Sequence, residues 1–207
     1  MIPGKDAQTG SNLLPSIAER WSPRSFGEKE VEDEKLLRIF EAARWAASSR
    51  NEQPWHFIVA QKGDEHYEKL FNGLDDGNKK WAWTAPVIVA CLSKLKFDYK
   101  GYPNAHHAHD LGLAMGNLLA QATHEGLHIH QMAGIKPEVI INNFSIDAEK
   151  YKVVTMFVMG YADESRLMVL PEDVQKSETQ ERKRKPLHEI VSGGSLGKPP
   201  GWIKNNG

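Results

Sequence analysis

The sequence predicts an α+β fold, a small mixed sheet surrounded by helices, and three observations carry that expectation. Apolar residues recur at helical spacing after Asp33 and again from His106 to Glu125, where Leu111 to Ala122 is interrupted by polar side chains only at Asn117 and Gln121. Three apolar runs, Trp55 to Ala60, Pro86 to Leu92 and Tyr151 to Tyr161, have strand length and are rich in β-branched or aromatic residues. A chain of 207 residues with 40% apolar side chains can bury the core of one ordinary domain. Residues 1–191 are therefore expected to form a single domain, followed by a Gly/Pro-rich tail over 192–207.

Taken in order, residues 1–10 read as a loose tail. Asn12 is placed to cap a short helix, Leu13 to Arg20, with Pro15 in the first turn, where its missing N–H costs nothing. Asp33 is expected to cap a longer helix with Leu36, Leu37, Phe40, Ala43 and Ala47 on one face. WHFIVA is mostly apolar and reads as a buried strand. Asp64 to Leu74 is a further helix, apolar at Tyr67, Leu70, Phe71 and Leu74, and Gly73 to Lys80 is a polar turn. Pro86 to Leu92 is a second buried strand.

The helix from His106 to Glu125 is apolar on nearly every face yet too short to span a membrane. Gly112, Gly116 and Ala120 lie four apart and permit close approach of another helix. Covering every face of one helix in a chain this size is easiest if a second subunit does so, and a homodimer is expected. Lys136 to Asn143 is a short helix and Tyr151 to Tyr161 a third strand. Residues 162–181 read as loop plus a helical turn. Arg182 to Lys185 is a basic cluster, and Leu187 to Val191 a last short element.

A formal net charge of -1 gives no global field for a polyanion, and the basic residues form no Arg/aromatic platform, which speaks against a nucleic-acid module. Cys91 is the only cysteine, so an internal disulfide is excluded; it lies inside PVIVACL and reads as an inert core thiol. MIPGKDAQTG has no apolar leader region, and a cytoplasmic protein with no membrane partner is expected.

Two stretches carry candidate chemistry. Between the helix ending near Ala47 and the strand after Pro54 lie Ser48, Ser49, Arg50, Asn51, Glu52 and Gln53, a dense set of hydrogen-bonding side chains on a loop between rigid elements. The plainer alternative is a helix C-cap and turn. In Arg20-Trp-Ser-Pro-Arg-Ser-Phe26, Pro23 holds Ser22 extended, and alternate side chains then share a face. Arg20 and Arg24 flanking Ser22 make a phosphate clamp, because guanidinium forks match phosphate oxygens. The alternative is a solvated basic face paired with Glu19 and Glu28. A rival from another class rests on nine histidines, with His106 and His109 or His124 and His128 on one helical face. A metalloenzyme needs three converging ligands, and no HExxH pattern occurs.

RWSPRSF followed by EAARWAASSRNEQPWHF resembles the FMN-dependent nitroreductase family. The likeness continues in HDLGLAMGNLLAQATHEGLHIHQMAGI, VVTMFVMGYAD and RKRKPLHEIV, and so runs from about Leu14 to Val191. It implies an intertwined homodimer with FMN between the subunits. Arg20, Ser22 and Arg24 would meet the phosphate, ribityl and pyrimidine end, and Arg182 and Arg184 the same phosphate. The resemblance places Ser48, Ser49, Asn51 and Gln53 of the partner along the ring and ribityl edges. Asn78 would contact the ring, with a turn residue as the alternative, and Gln131, Met132, Ala133 and Gly134 would pass beside the isoalloxazine. Two departures stand out: Ala47 where the family usually has Pro, and Ala133 where many relatives have Glu. The implied activity is hydride transfer from NADH or NADPH through the flavin to a nitroaromatic, quinone or related acceptor, with no protein acid or base and no metal. A flavin-binding storage or sensor protein would use the same residues.

Overall fold

The structure, a computed structural model, describes residues 5–203. Four strands form one sheet: β1 (Trp55–Gln61), β2 (Val87–Lys94), β3 (His128–Met132) and β4 (Tyr151–Gly160), in the order β1-β2-β4-β3. Every pairing is antiparallel, so the expected mixed sheet is corrected. Strand composition reports burial and says little about pairing direction.

β2 shows why its whole run is apolar. Val87, Val89 and Cys91 face a core shared with α2 (Asp33–Arg44) and α5 (His107–His124). Ile88, Ala90 and Leu92 face the opposite core, shared with α3 (Tyr67–Phe71), α4 (Asp76–Ala82) and α6 (Pro137–Asn143). A strand covered on both faces has no polar positions to alternate with. β4 divides in the same way, Phe157 and Met159 toward α5, Met156 and Val158 toward α4. Burial pushes the Cys91 thiol up, as an inert core position requires.

Several expected elements change. β3 was not anticipated: HIHQM has only Ile129 and Met132 to bury, and pairing with β4 makes it a strand. The expected turn over Gly73 to Lys80 is mostly α4, because Asp75 caps it, accepting the Asn78 N–H at 2.8 Å, and Trp81 is buried. α1 (Pro15–Ala18) begins at Pro15 after Leu14, without a cap from Asn12. Asp33 is the first residue of α2 rather than its cap, and its Oδ1 accepts from Gln61 Nε2 at 3.1 Å. α2 stops at Arg44, leaving Ala47 and Leu37 exposed while Ile39 and Ala43 fill the core. The helix expected from Asp64 shortens to α3. Residues 162–181 hold a 3-10 segment (Glu164–Val169) and α7 (Glu172–Thr179); α8 (Leu187–Ile190) follows.

The expected loose start is partly ordered: Lys5 is 7% exposed and the Ala7 N–H donates to Ala18 O at 2.8 Å. Residues 1–4 and 204–207 of the two expected tails lie outside the described residues. α5 is not covered all round. Asp110, Leu111, Ala114, Met115, Leu118 and Ala122 are buried, while Gly112, Leu113, Gly116 and Asn117 stand open. Among the described residues no helix is long and apolar enough to cross a membrane.

Candidate functional site

Five of the predicted residues meet in one cleft. Arg20, Ser22 and Arg24 from the extended N-terminal segment line a cavity of about 300 Å³ with Arg182 and Arg184 from the segment after α7. Arg20 Nη1 donates to Ser22 Oγ at 3.1 Å, as expected for side chains sharing the face of an extended chain. Lys5 and Lys183 join them, so six cations face only two carboxylates, Glu178 and Glu181. Lys5 Nζ donates to Gln180 O at 2.7 Å, and Arg182 Nη1 donates to Lys5 O, stitching the chain's two ends together.

The charge balance is uneven. Burial, then Arg182 and Arg184, hold the Arg20 guanidinium below its ordinary value. Burial and then Arg184 do the same to Arg182, against a smaller opposing effect from Asp6. Lys5 is lowered by burial, with Arg24 and Arg182 adding to it against Glu178. Cations that depress one another in a half-buried cleft are stabilised by a bound anion, and guanidinium forks suit a phosphate.

A strip of contacts leads away from this cleft. The Arg24 guanidinium lies 6.0 Å from the Trp81 ring centroid, and Trp81 and His130 have centroids 4.4 Å apart. His130 Nδ1 meets Pro23 O at 2.9 Å. Burial holds His128 and His130 at about 4, so both rings are neutral at pH 7. Further along α4, Asn78 Nδ2 donates to Gly134 O at 3.0 Å, joining Asn78 to the chain leaving β3. Gly134 is required there: an added Cβ would overlap the Asp75 carboxylate and the Asn78 amide. Gln131 and Ala133 are exposed beside this joint. Met132 is not: its side chain is buried and its carbonyl accepts from Thr155 Oγ1 at 2.9 Å.

Ser48, Ser49, Asn51 and Gln53 lie elsewhere. Their loop makes one turn of 3-10 helix, Ser49–Asn51, with left-handed φ at Arg50 (55°), Asn51 (56°) and Gln53 (49°). Such conformations cost about 1–3 kcal/mol each and persist only where neighbours over-determine them. Here the Gln53 N–H donates to Ser48 Oγ at 3.0 Å, Gln53 Nε2 donates to Asn51 O at 3.0 Å, and the Ser49 N–H donates to Asp110 Oδ2 at 3.0 Å. Asp110 is in the first turn of α5. Arg20 belongs to the other end: Glu19 and Trp21 share a cavity of about 650 Å³ with Thr123 and Gly126. The two sets are thus separated by about 20 Å along α5, at 1.5 Å per residue.

Sequence reasoning missed Lys5, Trp81, Asp110 and Glu178 as parts of these arrangements. Lys5 carried no signal, and Glu178 looked like one more charge in a polar helix. Among the described residues no group of three His, Cys, Asp or Glu side chains is placed to hold a metal ion.

The nitroreductase family model matches residues 17–161. Among solved structures, an oxidoreductase containing FMN superposes with a TM-score of 0.85 at 33% identity, over 94% of this chain and 98% of that one. A nitroreductase family protein from Clostridium difficile 630 gives 0.69 at 25% identity, over 90% of this chain and 100% of its own. A provisionally named NADH dehydrogenase/NAD(P)H nitroreductase of Archaeoglobus fulgidus is 32% identical over 109 residues, 53% of this chain. That match spans 60% of the relative's length. The major NAD(P)H-flavin oxidoreductase of Aliivibrio fischeri is 23% identical, over 72% of this chain and 87% of its own.

Proposed function

This chain belongs to the nitroreductase family, and from that premise we propose that it is an FMN-dependent oxidoreductase. It passes a hydride equivalent from NADH or NADPH to a nitroaromatic, quinone or related small acceptor. The observation that carries this reading is the cleft in which Arg20, Arg24, Arg182 and Arg184 converge with a surplus of positive charge. The donor set fits the dianionic end of FMN, with Ser22 beside it for a hydroxyl. Gly134 lets the chain leaving β3 pack against Asp75 and Asn78, where a Cβ would collide, and so sets the place of Asn78.

Bound FMN supplies the hydride chemistry itself. The chain's own work is binding, orientation and electrostatics. Arg20, Arg24, Arg182 and Arg184 hold the phosphate, and Asn78, clamped to Gly134 O, orients the ring edge. Gln131, Ala133 and Gly134 line its side through exposed backbone and side chain. Met132 contributes packing alone, because its side chain belongs to the core.

Two copies complete the site. Ser48, Ser49, Asn51 and Gln53 lie too far along α5 to serve the Arg20 cleft of their own chain and instead reach the cleft of the partner. The open face of α5, where an added Cβ at Gly112 or Gly116 meets nothing within 4 Å, supports this homodimer.

The test is optical and catalytic. Purified protein is expected to carry flavin absorbance that bleaches with NADH or NADPH and recovers with a nitroaromatic or quinone. Bleaching without recovery would favour a carrier or sensor. Protein that takes up no FMN supplied in excess would defeat the reading.

A further inference from the structure

Among the described residues Asp110 and Glu178 are the acidic residues buried as a whole, each 1% exposed. Each accepts a backbone N–H from one of the two segments assigned above to the cofactor. Glu178 Oε1 takes the Arg24 N–H at 2.8 Å, and Asp110 Oδ2 takes the Ser49 N–H at 3.0 Å. We propose that Asp110 and Glu178 are the positioning residues of the site, one for each half. The proposal rests on the FMN reading of the preceding subsection.

A buried carboxylate is unfavourable unless its partners compensate. What an apolar side chain lacks is an acceptor. Glu178 stands in the last turn of α7, just before Gln180 to Arg184, and fixes Arg24 by its peptide. Its Oε2 stays 3.8 Å from Arg24 Nη1 and has no hydrogen bond. Arg24 is therefore held by its backbone while its guanidinium keeps donors for an anion. The same carboxylate ties the C-terminal cations to the N-terminal ones, since α7 leads directly into Arg182 and Arg184.

Asp110 works on the other half. It sits where the α5 dipole favours a negative charge, and its second oxygen meets His109 Nδ1 at 3.2 Å. The N–H it accepts immediately precedes Arg50, Asn51 and Gln53, the cluster of left-handed residues. Ser48 Oγ closes that cluster from the far side. With both anchors in place the loop can hold an unfavourable backbone; without Asp110 one anchor is gone. Glu178 should thus govern affinity for the phosphate, and Asp110 the surroundings of the ring.

The experiment compares FMN-loaded wild type with Glu178→Met, Glu178→Gln, Asp110→Ala and Asp110→Asn. Glu178→Met should raise the FMN dissociation constant about tenfold, or 1.4 kcal/mol, and leave that for riboflavin, which lacks the phosphate, within about twofold. Its unfolding midpoint without flavin should fall, because the Arg24 N–H loses its acceptor, so the comparison of FMN with riboflavin carries the test. Asp110→Ala should shift the visible band of bound flavin and raise KM for the acceptor about threefold or more, with a smaller loss of FMN affinity than in Glu178→Met. Glu178→Gln and Asp110→Asn keep a carbonyl acceptor and should recover most of each loss. If Asp110→Ala yields no folded protein, Asp110→Val, which refills the volume, takes the same readings. Wild-type affinity and spectrum in Glu178→Met and Asp110→Ala, or Gln and Asn variants no better than those, would overturn the proposal. A wild type that binds no FMN overturns the preceding reading and this one with it.

Discussion

The basic cleft and the Ser48 to Gln53 loop solve the same problem by opposite means. The cleft is assembled from segments more than 150 residues apart, has no left-handed backbone among Arg20 to Arg24, and stores its cost as mutual repulsion among cations. The loop is local and carries one charge pair at its edge, Lys94 with Glu52; its cost is stored as backbone strain at three residues. Repulsion is relieved by any suitable anion, so the cleft selects by charge. Strain fixes directions, so the loop selects by shape. A dimeric site that joins the two would use each for a different end of one ligand.

The largest expected effect breaks the cleft. An Arg20→Ala/Arg182→Ala variant removes two charge-assisted contacts of about 1.5–3 kcal/mol each and should weaken FMN a hundredfold or more. Riboflavin, titrated in parallel, should bind the variant as it binds wild type; an equal loss for both ligands would mean that the cleft does not read the phosphate. Next comes the joint between α4 and β3. Gly134→Ala forces a methyl group into the Asp75 carboxylate and should cost about 1–3 kcal/mol in denaturant unfolding. No change would show that Asp75 yields freely.

Acid separates the two regions further. His128 and His130 flank the cleft and are held at about 4, against an ordinary 6.5, chiefly by burial. The unfolded chain therefore binds more protons between these values. Their contribution is complete above pH 6.5 and is lost as pH falls toward 4. Exposed Glu32 and Glu41 and half-buried Glu125, at about 2 through bonds to Lys29, Arg44 and Arg38, act only below 4.5. The thermal midpoint should decline between pH 6.5 and 4.5 in wild type and less steeply in a His128→Phe/His130→Phe variant, where His107, also lowered by burial, leaves a residual slope. Equal slopes would remove the histidines from the account. The smallest effect is in the loop. Arg50→Gly relieves a left-handed residue at some cost in chain entropy and should stabilise by about 0.5 kcal/mol. A clear destabilisation would mean that the Arg50 side chain, 6.0 Å from the Tyr99 ring, outweighs the strain.

How much of this was legible in the sequence depends on what each element is made of. α5, β2 and β4 fall within one or two residues of expectation because their apolar pattern is unambiguous and Gly126, at φ 75°, ends the helix. β3 and α4 were hidden for opposite reasons. β3 has too few apolar residues to announce a strand, and Asp75-Asp76-Gly77-Asn78 reads as a turn although Asp75 is a helix cap. In the site, Pro23 made the shared face of Arg20, Ser22 and Arg24 derivable from local rules. The approach of Arg182 and Arg184 was not derivable, since only tertiary structure joins the chain's ends. Nor did any local pattern foretell that Lys5 would be buried beside them.

The central claim is that each flavin is held by the arginines of one protomer and the loop of its partner. Coexpression of two differently tagged chains tests it most directly, one carrying Arg20→Ala/Arg24→Ala and the other Asn51→Ala/Gln53→Ala. If the halves come from different protomers, the isolated heterodimer keeps one intact site and should bind FMN at about half the wild-type content, while both parent homodimers bind none at the same concentration. A heterodimer as empty as its parents, or a wild type that is monomeric and fully loaded, would contradict it.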